Sequence, residues 1–486
     1  MRLILGKMAL GAVLVLSASA RADLTGRIDA VLASKDAQRM TVGVQVALLP
    51  SGKVLYSRRA TELFIPASNV KLVTAASALH HLGPDFEFHT LFYAAGTVHR
   101  GGVLKGHLIV QGDGDPNISG RFHGGDVSYL PRTWAQILHQ RGFRHITGDL
   151  VADDTLFDRQ YTCPSWPAAQ LHKWYAAPVA GLSFNDNCLD IVISPTTSGR
   201  PVRLTLHPDT RYFTVTNQLI TTSSAAAARK QGFFLSRALG TNHVILKGGW
   251  PAGAAPERKF VTVNEPPLYF GTVVAEEMRR AGITLGGTVR LARRAGHFVG
   301  PKDPRVHIIH TSSLRDTIRV MNKRSQSFYA EQLLKRTGAA FQGHGTYATG
   351  AAAASAYLKT IGVPPGSYVM ADGGGLSRAS RFTPQQFATV LTHAYNAPYG
   401  RMFVDSLSRS GIDKSMQKRL GTPAYRGRIA GKTGTLDGVV TLSGYAFNRH
   451  GHVLAFSILV NNSHNNWTAR AFTDDICRIL IDEKLP

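Results

Sequence analysis

FIPASNVKLVTAASALHHLG, running from Phe64 to Gly83, is the stretch on which the reading of this chain turns. After Pro66 and Ala67 the pattern is helical, but Val70, Leu72, Val73, Ala75, Ala76, Ala78, Leu79 and Leu82 surround the axis instead of keeping to one stripe. That distribution predicts a buried helix. Its first turn nevertheless carries Lys71, where a cation faces the positive end of the helix dipole and loses hydration. Stability supplies no reason for it. Lys71 follows Ser68 by three residues, so both project from one face. Ser68 alone reads as an N-cap, yet a capping box would place Glu or Gln at 71, and the sequence has the opposite charge. Burial and the dipole both lower an amine's pKa, and a neutral amine beside a hydroxyl activates serine without histidine.

Two further stretches join it. GKTGT places Lys432, Thr433, Gly434 and Thr435 on a strand that reads as a sheet edge. Gly434 permits a substrate backbone to come close, and a cation with two hydroxyls suits a carboxylate. In KRSQSFYAE, Ser325 stands just before a helix, a position that N-capping also explains, and Ser327 follows two residues on.

The 486 residues allow two to four domains. With 44% hydrophobic and 18% charged residues the chain is globular. MRLILGKMALGAVLVLSASARAD has the basic start, short apolar run and small residues of a secretory signal peptide over residues 1–22. The alternative, an uncleaved anchor, is opposed by the shortness of the run from Met8 to Ala20. We therefore expect a protein secreted to the bacterial periplasm or cell envelope, with no transmembrane segment after cleavage. The net charge of +24 fits contact with anionic cell-envelope surfaces. Nucleic acid is excluded as a partner by the signal peptide and by the lack of an aromatic-basic binding motif. Of three cysteines, Cys163 and Cys188 are the expected disulfide in an oxidising compartment, and Cys477 a buried thiol. Neither cysteine nor histidine spacing resembles a metal site, so no metal or other cofactor is expected.

Along the chain, a helix, a strand pair and the buried helix lead into a strand-rich segment with glycine turns. TWAQILHQRGFRHITGDLVAD and, much later, TVVAEEMRRAGITLGGTVRLA are helix–glycine–strand units of like design. Their separation suggests one domain interrupted by another. Between them lie short strands, turns and the loop-like run TTSSAAAARKQG. From His307 the texture is helical, then GRIAGKTGT, VVTLSGYAFN and GHVLAFSILVN read as antiparallel strands before a final helix, Thr468 to Glu483.

S-x-x-K, S-x-S and K-T-G in this order resemble the penicillin-recognising serine acyl-transferases. FIPASNVKLVTAASAL, MNKRSQSFYAEQLLK, ADGGGLSRASRFTP and AGKTGTLDGVVTLSGYA, with GDGDP, GDLVADDTLFD and LSFNDNCLDIVISP between, are similar to the type-4 penicillin-binding proteins. These are class C low-molecular-mass D-alanyl-D-alanine carboxypeptidases/endopeptidases. The resemblance implies a mixed α/β (α+β) fold: a split transpeptidase/β-lactamase-like domain, an antiparallel sheet flanked by helices, with nested inserted β-rich domains. Its catalytic domain would comprise 23–95 and 303–486, a second domain 96–160 and 260–302, and a third, nested one 161–259. It further implies peptidoglycan stem peptides and β-lactam antibiotics as partners. Ser68 would be the nucleophile, Lys71 its base and Ser325 the proton relay. Backbone N–H groups of Ser68 and Thr435 would form the oxyanion hole, and Lys432, Thr433 and Thr435 would hold the terminal carboxylate.

Three departures stand against that pattern. Ser327 replaces the asparagine of S-x-N, Gly374 a serine of D-G-S-G, and Asp413-Lys414-Ser415-Met416 the usual D-G-T-L. A serine offers one donor where the amide offers two, and such a lost bond costs about 2–4 kcal/mol in a transition state. The leading expectation is a serine-type D-Ala-D-Ala carboxypeptidase/endopeptidase. The alternatives are a weakened penicillin- or peptidoglycan-binding protein and, less consistent with the 257-residue gap from Ser68 to Ser325, a β-lactamase.

Overall fold

Thr41–Leu48 is apolar at nearly every position because both faces of its sheet are covered. The structure, a computed structural model, describes residues 23–293 and 299–485, so the expected signal peptide lies outside the described residues. The sheet is six-stranded and antiparallel, in the order Ser408–Arg409, Ile429–Leu436, Val439–Phe447, Val453–Asn461, Thr41–Leu48, Lys53–Arg58. Thr41 is registered with Asn461 and Leu48 with Leu454, so the two ends of the chain build one layer. Alternation along Val453–Asn461 sends Leu454, Phe456, Ile458 and Val460 toward helices Leu24–Leu32 and Asn466–Asp482. Ala455 and Leu459 face helices Val70–Leu82 and Pro384–Asn396.

The chain leaves this layer along Glu87–His99 and returns along Val306–Ser313, two strands paired with each other in a second sheet. The boundary expected at 96 falls inside the first of them. The two helix–glycine–strand units lie side by side here. Helices Tyr129–Gln140 and Pro266–Arg280 each end in a glycine with positive φ, Gly142 at 91° and Gly282 at 84°. The strands after them pair in parallel, Thr284 with His145 and Val289 with Leu150. The intervening chain forms two three-stranded sheets. Among the described residues no helix is long and apolar enough to cross a membrane.

Three local expectations are corrected. The run read as a loop contains the helix Ala225–Gln231, because Ser224 Oγ caps Ala227 N and Gly232 ends it. The helical texture expected from His307 begins only at Leu314, because Val306–Ser313 is a strand paired with Glu87–His99; the helices Leu314–Lys323 and Ser327–Gln342 follow. Cys163 and Cys188 are free thiols in separate clusters. Cys163 Sγ donates to Ala371 O (3.3 Å) beside Trp166 and Tyr347, while Cys188 opens the strand Cys188–Ser194 in the main core. Both behave as small apolar side chains whose burial pushes the thiol pKa up.

Candidate active site

The helix bearing Lys71 does not start with a side-chain cap. A 3-10 turn, Ala67–Asn69, precedes Val70–Leu82, with Ala67 in the left-handed region at φ 45°. Two glycines press on that turn. A Cβ on Gly434 would lie 2.9 Å from Ser68 N, and one on Gly375 1.8 Å from Ala67 O. Gly434 therefore admits the chain's own serine-bearing turn, a closer neighbour than the substrate backbone expected there. Thr441 Oγ1 donates to Pro66 O (3.0 Å), and the Asn461 amide holds both backbone groups of Ile65. Ser68 is thus fixed against the Ile429–Leu436 strand while its side chain stays half-buried.

Lys71 is fully buried. Its Nζ donates to Ser68 Oγ (3.0 Å), Ser327 Oγ (3.2 Å) and Gly374 O (2.5 Å). Burial pulls its pKa down to about 8, against the opposing pull of the Glu331 and Asp372 carboxylates. Glu331 is likewise fully buried, with its pKa raised by burial and by Asp372. It accepts from Gly373 N (2.8 Å) and Gly374 N (2.7 Å), so it shapes the segment whose carbonyl receives Lys71. Asp372 accepts from Gly375 N (2.9 Å), Ser377 N (2.6 Å) and Trp166 Nε1 (2.9 Å). Trp166 lies between Leu150–Asp153 of the second sheet and the strand Cys188–Ser194, so the inserted region braces this loop directly.

Ser325 lies between the two helices after Ser313, in the left-handed region at φ 55°. The N-cap of Ser327–Gln342 is Gln326, without a side-chain cap bond, so capping does not account for Ser325. Its Oγ accepts from Lys432 Nζ (2.8 Å). Lys432 Nζ also donates to Thr433 O (2.7 Å), and burial together with Lys71 pushes its pKa well below the ordinary lysine value. Two hydroxyl–amine pairs, Ser68–Lys71 and Ser325–Lys432, thus meet in one site. The strand carrying Lys432 is an edge over Lys432–Leu436, since Ser408–Arg409 pairs only with Gly431 and Ala430. Alternation puts Lys432 and Gly434 on one face and half-buried Thr433 and exposed Thr435 on the other. Lys432 is therefore engaged with Ser325, away from the two threonine hydroxyls.

The departures now have positions. Ser327 Oγ keeps a contact with Lys71, because its helix begins directly over that ammonium. Gly374 adjoins it: a Cβ there would lie 3.2 Å from Ser327 Cβ and 2.7 Å from Glu331 Oε1. The Asp413–Met416 turn is structural: Asp413 Oδ2 accepts from Lys323 Nζ (2.7 Å) and Arg409 N (2.8 Å). It anchors the end of the helix leading into Ser325. Sequence reasoning missed Glu331, although a carboxylate inside the buried run FYAEQLL is the same anomaly as Lys71.

The D-Ala-D-Ala carboxypeptidase 3 (S13) family matches residues 24–482. A D-alanyl-D-alanine carboxypeptidase of Actinomadura sp. (strain R39) is 32% identical over 466 residues, 93% of this chain and 84% of that one. The D-alanyl-D-alanine carboxypeptidase DacB of Haemophilus influenzae is 25% identical, over 88% of this chain and 87% of its own. Among solved structures, penicillin binding protein 4 (dacB) from Haemophilus influenzae shares the fold. It has a TM-score of 0.78 at 22% identity, covering 93% of this chain and 98% of that chain.

Proposed function

Because the chain belongs to the D-Ala-D-Ala carboxypeptidase 3 (S13) family, we propose that it is a serine-type D-Ala-D-Ala carboxypeptidase/endopeptidase that cuts peptidoglycan peptides through an acyl-enzyme. The carrying observation is Lys71 Nζ, fully buried and 3.0 Å from Ser68 Oγ. Ser68 Oγ attacks the carbonyl carbon of the penultimate D-alanine as its proton passes to neutral Lys71. The carbonyl oxygen, now negative, is received by the N–H groups of Ser68 and Thr435, brought together where Gly434 lacks a side chain. As the C–N bond breaks, Ser325 Oγ gives its proton to the departing amine and regains, through Lys432, the one that Lys71 took from Ser68. Thr433 and Thr435 lie along the free strand edge, where the terminal carboxylate sits. Water then adds to the acyl carbon as Lys71 takes its proton, and Lys71 returns a proton to Ser68 Oγ as the ester C–O bond breaks. A β-lactam acylates the same oxygen and stays attached.

The family, the export signal expected over residues 1–22 and the positive charge support action on peptidoglycan in the periplasm or cell envelope, against anionic surfaces. Ser327 favours a second reading, a protein that binds penicillin or peptidoglycan with little turnover, since one hydroxyl there serves Lys71 alone. Incubation with a fluorescent penicillin, followed by an assay of D-alanine release from a pentapeptide, separates the two. Labelling with release, both lost in Ser68→Ala, supports the peptidase. Labelling without release supports the binding protein, and no labelling defeats both.

A further inference from the structure

A carboxylate arriving at Thr433 and Thr435 meets two hydroxyls, and the cation one residue before them points elsewhere. Lys432 is fully buried, with its Nζ on Ser325 Oγ (2.8 Å) and Thr433 O (2.7 Å). Its pKa, pushed well below the ordinary value by burial and by Lys71, fits a proton carrier better than a fixed charge. The guanidinium of Arg378 donates to Asp437 O (2.9 Å), beyond the end of the strand.

Arg470 is placed differently. Its Nη2 donates to Thr435 Oγ1 (3.4 Å) from the helix Asn466–Asp482, which packs on the neighbouring strand Val439–Phe447. The start of that helix is tied down: Asn466 Nδ2 donates to Leu436 O (2.9 Å), the residue after Thr435. Asn466 and Arg470 are four apart and share a face, so the bond that fixes the first also aims the second. Arg470 is exposed, and the carboxylates one turn further along its own helix have other partners, Asp474 with Arg419 and Asp475 with Arg478. Among the described residues Arg470 has no ion pair.

We propose that Arg470 supplies the positive charge that recognises the substrate's terminal carboxylate, acting with the Thr435 hydroxyl, while Lys432 serves Ser325. The assignment rests on the acyl-enzyme reading of the site. A guanidinium presents paired N–H groups to a carboxylate, and an exposed one also draws the anion toward the edge before it docks.

The test compares release from one N-acylated D-Ala-D-Ala peptide in two forms, ending in a free carboxylate or in a carboxamide. The unaltered protein should favour the carboxylate form in kcat/KM. Arg470→Gln should lower kcat/KM for that form about tenfold, mainly through KM, and leave the carboxamide form unchanged. Arg470→Lys should keep part of the preference, and added salt should weaken it in the unaltered protein but not in Arg470→Gln. An undiminished preference in Arg470→Gln overturns the proposal. So does an equal fall for both forms, which would mark a packing role. If the unaltered protein cleaves neither form, the peptidase reading fails and takes this assignment with it.

Discussion

At the scale of single residues, the proposed acyl-enzyme mechanism makes Lys71 and Ser327 the side chains that set its rate. Lys71 acts as a base only when neutral, and its pKa lies near 8. Acylation by penicillin, followed by stopped labelling at fixed times, should therefore rise as pH increases through about 8 and level off above it. A rate that falls across that interval would show that the charged form is the working one. Ser327 retains one bond to Lys71, so the deficit against an amide is the contact to substrate. Ser327→Asn should speed acylation at least about thirtyfold, the lower end of the cost of that bond, and an unchanged rate would show that this side chain does not limit the chemistry. Lys71 was legible because a charge inside an apolar helix has no other explanation. Glu331 carries the same signal, a carboxylate inside the buried helix Ser327–Gln342. The cysteines misled for the opposite reason: their chemistry was weighed above their behaviour as small apolar groups.

At the scale of elements, the site is made by close backbone approaches. Gly434→Ala would put a methyl 2.9 Å from Ser68 N and 2.2 Å from Thr441 Oγ1. The serine-bearing turn must then move off the strand. Penicillin labelling should fall about a hundredfold, with far-UV circular dichroism unchanged, since misplacement by about 1 Å has that effect. Gly374→Ser, the residue the resemblance calls for, meets Glu331 Oε1 at 2.7 Å while two N–H groups hold that carboxylate in place. It should cost about 1–3 kcal/mol in thermal or urea unfolding. Because Gly374 also touches Ser327, its effect should not add simply to that of Ser327→Asn. Helix and strand periods located these elements. The left-handed residue at Ser325, which turns its hydroxyl to Lys432, leaves no mark in a hydrophobic pattern.

At the scale of the whole molecule, the six-stranded sheet depends on chain ends that meet. Thr41–Leu48 has its full-length partner in Val453–Asn461, and Asn462 Nδ2 reaches Thr41 Oγ1 across 421 residues. A chain cut before Val453 should show unprotected amides over Thr41–Leu48 in hydrogen exchange and no penicillin labelling, although Ser68 and Lys432 are both present. Protection surviving that cut would mean the N-terminal hairpin folds by itself. The second sheet, with a separate core, was foreshadowed by its paired helix–glycine–strand units. The pairing of first strands with last was not, because alternation tells which face is buried and never which strand lies alongside.

That closure has a bearing on synthesis. A ribosome makes Ser68 long before the strand Ile429–Leu436 that seats it. On the proposed mechanism, a polypeptide stalled in between would carry a serine with no Lys432 and no strand edge to receive a substrate.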